Sequence, residues 1–354
     1  MSIATSAPPI SQFKSLKPSD AIGAMFVIGC SVATGVAIYL STVDHWLLWL
    51  LGQMLLAFAM LQWFVLIHEA GHKTLFKSAV WNKLSGHLAS LLAGIPFESW
   101  KTVHAVHHRW TGWQDLDATT ATLVPRRLKL WERIIINGCW KLWIPLFSVL
   151  YRLQNYWNLP RLYKLFPRRK KRLRLTLNVF VLLAIYVSVC WLVGFKQILV
   201  MFALAAFISL MMQDILILSQ HTHIPMQLSQ GAEVVPFTPA EQEFFTRSLE
   251  FPRWFSVLVL LNLDAHELHH IYPSVPGYYL SRIGYEKHKS VPWWRWLLKA
   301  KQILRRSVFV SELQSFWLRH LRSGSYETRC CGVCDLLDTC LCDCWVRANI
   351  LVAQ

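Results

Sequence analysis

Acidic residues are scarce in this chain of 354: 20 Asp and Glu stand against 36 Lys and Arg. Charge of either sign is missing from residues 21–43, 46–67 and 175–195, and residues 198–219 hold a single charged side chain, Asp214. About 20 apolar residues suffice to cross ~30 Å of hydrocarbon as a helix. Four such runs, in a chain that is 54% hydrophobic with 18 Trp and 19 Phe, exclude an ordinary soluble domain. No cleavable leader is expected either: residues 1–20 are polar, hold Pro8, Pro9 and Pro18, and have no basic start feeding a short apolar run. They read as a flexible tail. Cysteine is nearly confined to one place, with six of the nine between Cys330 and Cys344.

The net charge of +16 invites a nucleic-acid partner, but the basic residues border the apolar runs, where an anionic lipid surface accounts for them. No nucleic acid is expected. Residues 44–45 and 196–197 are the only breaks within the two pairs of runs, so each pair reads as a hairpin. The segment between the pairs, residues 73–174, holds 19 Lys or Arg and four acids. Because Lys and Arg stay cytoplasmic, that segment and both termini are expected on the cytoplasmic side. Residues 84–96, 134–150 and 254–263 are apolar but short or interrupted, and read as re-entrant or interfacial pieces. Residues 291–329 form a basic, Trp-rich interfacial segment.

Histidine is what the chain has in unusual arrangement. Ten of the fourteen lie in four patches: His68 and His72; His104, His107 and His108; His221 and His223; His266, His269 and His270. Residues i, i+3 and i+4 share one side of a helix, so each HxxHH is expected to direct three imidazoles to one point. Imidazole is a common ligand of iron, zinc and copper. With one histidine of the 221/223 pair set aside, nine imidazoles remain, enough for two metals with four or five each. Open positions on such metals can bind dioxygen. A ligating imidazole usually donates its other N–H to a carboxylate or carbonyl, and Asp115, Asp214 and Asp264, with Glu69 and Glu267, are the candidates for that supporting role.

The order HEAGH (residues 68–72), HAVHH (104–108) and HELHH (266–270), the last followed by Ile271-Tyr272-Pro273, resembles the three histidine boxes of the membrane fatty acid desaturase family. The resemblance covers roughly residues 40–285. It implies an all-α integral membrane fold: four transmembrane helices in two hairpins under a cytoplasmic helical cap that holds a histidine-rich di-iron site. It implies a membrane domain over residues 21–290, two iron ions, O2 as co-substrate, and removal of two hydrogens from the acyl chain of a membrane lipid or other acyl substrate. The implied ligands are His68, His72, His104, His107, His108, His266, His269 and His270, with His221 preferred to His223 as a ninth. A double bond also needs two electrons from outside. The chain has neither the His-Pro-Gly-Gly stretch of a fused cytochrome b5 domain nor the cysteine spacing of a plant-type ferredoxin. A separate donor of ferredoxin or cytochrome b5 type, docking on the basic cytoplasmic face, is expected.

Two other functions fit parts of the pattern. HEAGHK, with Lys73, also resembles the alkane hydroxylases, so a membrane di-iron hydroxylase or ketolase is the alternative. A metal transporter would place polar groups near the bilayer midplane, whereas these histidines gather at one boundary. The Cys-rich tail, residues 330–354, matches no zinc pattern; a cytoplasmic position disfavours disulfides, and an addition without catalytic role is expected.

Overall fold

The computed structural model describes residues 8–13, 15–121, 129–222, 224–285 and 290–302. His223 and the Cys-rich tail lie outside them. Along the chain come α1 (Asp20–Leu40), α2 (Trp46–His72), α3 (Ala79–Ala93), α4 (Phe97–Trp110), α5 (Leu130–Lys141) and α6 (Leu146–Arg152). A π-helical turn, Leu153–Trp157, leads to α7 (Leu159–Leu165), α8 (Arg169–Val193) and α9 (Phe195–His221). Four of these, α1, α2, α8 and α9, are long and apolar enough to cross a membrane. Each apolar run thus became a helix, and α2, α8 and α9 extend beyond their runs. α2 continues past residue 67 to His72, so both histidines of the first patch ride on one unbroken helix. It stops at Lys73, which has a left-handed φ of 64°. α8 begins inside the basic run, at Arg169.

α2 is the axis of the assembly, in contact with α1, α3 and α9. Helices within lipid gain little from hydrophobicity alone, so close approach and hydrogen bonds hold them together. Gly52 supplies the approach: a Cβ there would lie 2.8 Å from the Ala37 carbonyl of α1. Gln53 supplies the bonds. Fully buried, it donates from Nε2 to Ser41 Oγ at 2.9 Å and to the Met201 carbonyl at 2.8 Å. Its Oε1 accepts the Ala205 N–H at 3.0 Å. One side chain thereby joins α1, α2 and α9.

The shorter apolar pieces are helical and broken. Residues 84–96 fall in α3 and the turn after it, closed by Gly94 with φ 66°. The stretch 134–150 is shared between α5 and α6, and the pair Leu130–Lys141 and Leu146–Trp157 is bent by 116°. Residues 254–263 hold the end of α10 (Arg253–Leu258) and a turn in which Leu261 and Asn262 take positive φ. Beyond it lie α11 (His266–Ile271), α12 (Gly277–Leu280) and α13 (Trp293–Gln302).

Two features differ from the expectation. The fold is not wholly helical: β1 (Ser248–Glu250) and β2 (Ser290–Pro292) form a small parallel sheet. Parallel strands require a long crossover, and here the crossover contains the short helix of the third histidine patch. Ser248 reaches that helix directly, its N–H donating to Glu267 Oε2 and its Oγ accepting the Glu267 N–H, both at 3.2 Å. The second half of the N-terminal tail is also packed. Tyr272 donates its hydroxyl to the Pro8 carbonyl at 2.7 Å, the Phe13 and Tyr272 rings meet at 5.0 Å, and the Ser19 N–H donates to Tyr278 Oη at 2.8 Å. Apolar Phe13 and Leu16 cover the core around Ile271 and Tyr272, a gain that a polar average over twenty residues conceals.

Replacing Gln53 by Leu keeps the volume and removes the three bonds. It is expected to lower stability by about 1–2 kcal/mol, seen as a lower midpoint of thermal unfolding in detergent. An unchanged midpoint would show that these bonds do not hold the spans together.

Candidate metal centre

Nine histidines converge where α2 and α9 end. His68 and His72 come from α2, His104, His107 and His108 from α4, His221 from the last residue of α9, and His266, His269 and His270 from α11. They do not meet at one point. His68, His72, His104 and His269 form one group, and His107, His221, His266 and His270 another; within each, the ligand atoms lie within 4.8 Å of one another. His108 adjoins the first group, its Nε2 lying 3.0 Å from the Nε2 of both His104 and His269.

The expected three-to-one convergence of each HxxHH therefore gives way to a split. Successive residues on an α-helix are about 100° apart, so adjacent histidines cannot aim at one spot. The i and i+4 residues share a direction and the i+3 residue diverges. α4 gives its i and i+4 histidines (104 and 108) to the first group and its i+3 histidine (107) to the second. α11 does the reverse, with His266 and His270 in the second group and His269 in the first.

Hydrogen bonds fix several of these rings. His107 Nδ1 meets Asp117 Oδ2 at 2.7 Å, and His221 Nδ1 donates to the Phe245 carbonyl at 3.1 Å. Gln242 bridges two patches: its Nε2 donates to the His108 carbonyl at 2.6 Å while its Oε1 faces His270 Nδ1 at 2.8 Å. A carbonyl only accepts, so the amide orientation is set and the proton of His270 belongs on Nδ1. His68 Nδ1 lies 3.1 Å from Glu69 Oε1. In all four cases Nε2 is left with its lone pair, as ligation requires.

The donor set fits cations. His68 Nε2 is buried without a hydrogen-bond partner. His104 Nε2 lies 2.8 Å from His72 Nε2, and His266 Nε2 lies 2.9 Å from that of His221 and 3.1 Å from that of His270. Converging lone pairs with too few protons between them are what a bound metal satisfies. Burial, and after it the neighbouring imidazoles, push the pKa of His104, His108, His266, His269 and His270 well below its ordinary value. Those rings are neutral near pH 7. Burial works to raise the pKa of Asp117, but His107 and the hydrogen bonds from Thr119 outweigh it and hold the carboxyl below its usual range.

The three aspartates picked out as supports for the imidazoles are engaged differently. Asp115 accepts from the N–H and hydroxyl of Ser229, because the turn that aims Asp117 at His107 points its neighbour two residues back at another loop. Asp214 accepts the Ser148 N–H at 2.7 Å; seven residues before His221 on α9, it sits about 10 Å away along the axis. Asp264 accepts from the Ser256 hydroxyl at 2.6 Å. Asp117, Gln242 and the Phe245 carbonyl, which do face the imidazoles, lie in turns and loops with no periodic signal. Trp100 was also unforeseen. It stacks on His104 with centroids 4.3 Å apart, and it fits only because position 71 is glycine: a Cβ there would stand 2.3 Å from its ring.

A sequence model described as fatty acid desaturase matches residues 44–297. Among curated proteins, the chain is 31% identical over 139 residues to an sn-1 oleoyl-lipid 12-desaturase of Picosynechococcus, which covers 37% of each chain. It is 26% identical over 269 residues to a fatty acid desaturase of Bacillus subtilis, covering 72% of this chain and 73% of that protein. With a chloroplastic sn-2 acyl-lipid omega-3 desaturase (ferredoxin) of Helianthus annuus it shares 23% identity over 271 residues, covering 71% of this chain and 58% of that protein. The chain thus spans less than two thirds of the first and third of these relatives.

Two measurements check the site. Gly71→Val is expected to displace Trp100 and, with it, His104; bound metal per chain should fall, and full metal content would contradict the packing. The second is the pH dependence of the metal-free protein. Histidines with a lowered folded-state pKa protonate first in the unfolded chain as pH falls. Stability should therefore be level above about pH 7 and decline from about pH 6.5 downward. An unfolding midpoint that stays constant from pH 7.5 to 5.5 would contradict that reading.

Proposed function

The chain belongs to the fatty acid desaturase family and is an oxidoreductase, and from that premise we propose that it is an O2-dependent fatty acyl desaturase acting on membrane lipid through two irons held only by histidine. One observation carries the proposal: two groups of four imidazoles, with ligand atoms within 4.8 Å in each, lie side by side where the apolar helices end. His68, His72, His104 and His269, joined by His108, are assigned to one iron, and His107, His221, His266 and His270 to the other. Bound iron supplies the oxidising power, with O2, that removal of hydrogen from an unactivated methylene demands.

The protein's own part is placement and exclusion. Asp117, Gln242 and the Phe245 carbonyl hold the Nδ1 protons of His107, His270 and His221, so the opposite nitrogens face inward as lone pairs. Glu69 does the same for His68 and is itself held by the Thr74 hydroxyl at 2.8 Å. Burial of His68, His107, His266, His269 and His270 keeps bulk water from the reacting region. A lipid tail rising between the spans meets the histidines at the membrane boundary. The overall change balances as a –CH2–CH2– unit, O2, two electrons and two protons giving –CH=CH– and two waters.

Those electrons come, in this reading, from a separate donor of ferredoxin or cytochrome b5 type. The word ferredoxin in the name of the Helianthus relative supports the first. The 19 Lys and Arg of residues 73–174 support a cytoplasmic position for the histidine face and both termini, in a bacterial inner membrane or the endoplasmic reticulum. Residues 21–290 are, in this reading, the catalytic membrane unit; 303–329, most of the expected interfacial segment, and the tail 330–354 lie outside the described residues.

The test is lipid analysis by gas chromatography–mass spectrometry, with double-bond location, in a host lacking desaturases. Expression of the chain is expected to yield a new unsaturated acyl chain that a His107→Ala/His108→Ala variant does not make. Alcohols or ketones in its place would move the chain to the hydroxylases and sink the proposal.

A further inference from the structure

The two histidine groups differ in how their rings are held. In the group of His107, His221, His266 and His270, three of the four have Nδ1 on a protein acceptor: Asp117 Oδ2 at 2.7 Å, the Phe245 carbonyl at 3.1 Å and Gln242 Oε1 at 2.8 Å. Three of the four are also buried. In the group of His68, His72, His104 and His269, only His68 has such an acceptor, Glu69. Among the described residues His72, His104 and His269 have none at Nδ1, and His72 and His104 are partly exposed. His108 joins that group as another partly exposed ring.

An imidazole whose far nitrogen is anchored keeps one tautomer and one orientation, so it loses less freedom on binding metal and springs away less readily. Removing one such outer partner typically costs a metal site ~10–100-fold in affinity. We infer, on the two-iron reading above, that the sites are unequal: the iron at His107, His221, His266 and His270 is the firmly held one, and the iron at His68, His72, His104 and His269 is the exchangeable one. Gln242 is the main positioning residue behind the difference. It is buried, sits at neither metal position, and ties the second patch to the third through the His108 carbonyl and His270 Nδ1. The exchangeable iron is also the one beside more of the partly exposed residues, and its side of the centre is the one we assign to small molecules and to reduction.

Iron release tests this without reference to turnover. Full-length, iron-loaded protein in detergent is mixed with an excess of a coloured ferrous chelator, and release is followed by absorbance. Two phases of equal amplitude are expected, separated by about 100-fold, two anchors at ~10-fold each. Gln242→Ala should accelerate the slow phase ~10-fold or more and the fast phase far less, since its tie there is only to the His108 backbone carbonyl. Asp117→Asn, which preserves shape, should act on the same phase more mildly. Glu69→Gln should accelerate only the fast phase. In each variant the less affected phase reports that the protein is folded. Release of both irons in one phase, or a Gln242→Ala effect on the fast phase as large as on the slow one, overturns the inequality while leaving the two-iron reading intact. A preparation that binds fewer than two irons overturns both.

Discussion

The turn of the α-helix governs this centre. Adjacent residues on a helix diverge by about 100°, so the paired histidines that end each HxxHH cannot serve one metal. They can serve two that lie side by side. α4 and α11 exploit this in opposite senses, each giving an i, i+4 pair to one group and its i+3 histidine to the other. The remaining places are filled by the i, i+4 pair of α2 and by His221 at the end of α9. Everything else in the fold serves to bring four helix ends to one level: the Gln53 bonds among the spans, the Gly71–Trp100 fit between α2 and α4, and the strand pair and N-terminal segment around α11.

Convergence of nine imidazoles is costly without metal, since buried polar nitrogens lacking partners are unfavourable. The protein limits that cost by satisfying the far nitrogen of several rings and leaving the near ones bare. Asp117 does so from a loop, while the short 3-10 turn Glu241–Phe245 supplies both the Phe245 carbonyl and Gln242, which acts across two patches. The arrangement is poised for cations, and the carboxylates and amides buried beside it hold the rings.

Much of this was legible in the sequence and some was not, for identifiable reasons. The four helices long enough to span a membrane follow from the apolar runs, and the clustering of histidine follows from its spacing at i, i+3 and i+4. Which group each histidine joins was not legible from the boxes taken one at a time, because the spacing that puts three residues on one face also fans them apart. Asp117 escaped notice beside Asp115, since in a turn two residues of separation decide which loop a carboxylate meets. Gln242 lies 28 residues from His270 and no local pattern links them. The small sheet joins three-residue strands far apart in sequence, too short for alternation to register. The packed half of the N-terminal tail depends on Phe13 and Leu16, apolar residues in a mostly polar stretch.

Iron counted per chain in the purified protein and in a His266→Ala/His270→Ala variant tests the central claim most directly. The account predicts two irons in the native protein and one in the variant, since the change strips one group of half its imidazoles and takes only a divergent neighbour from around the other. A native protein that holds a single iron, or a variant that still holds two, would contradict it.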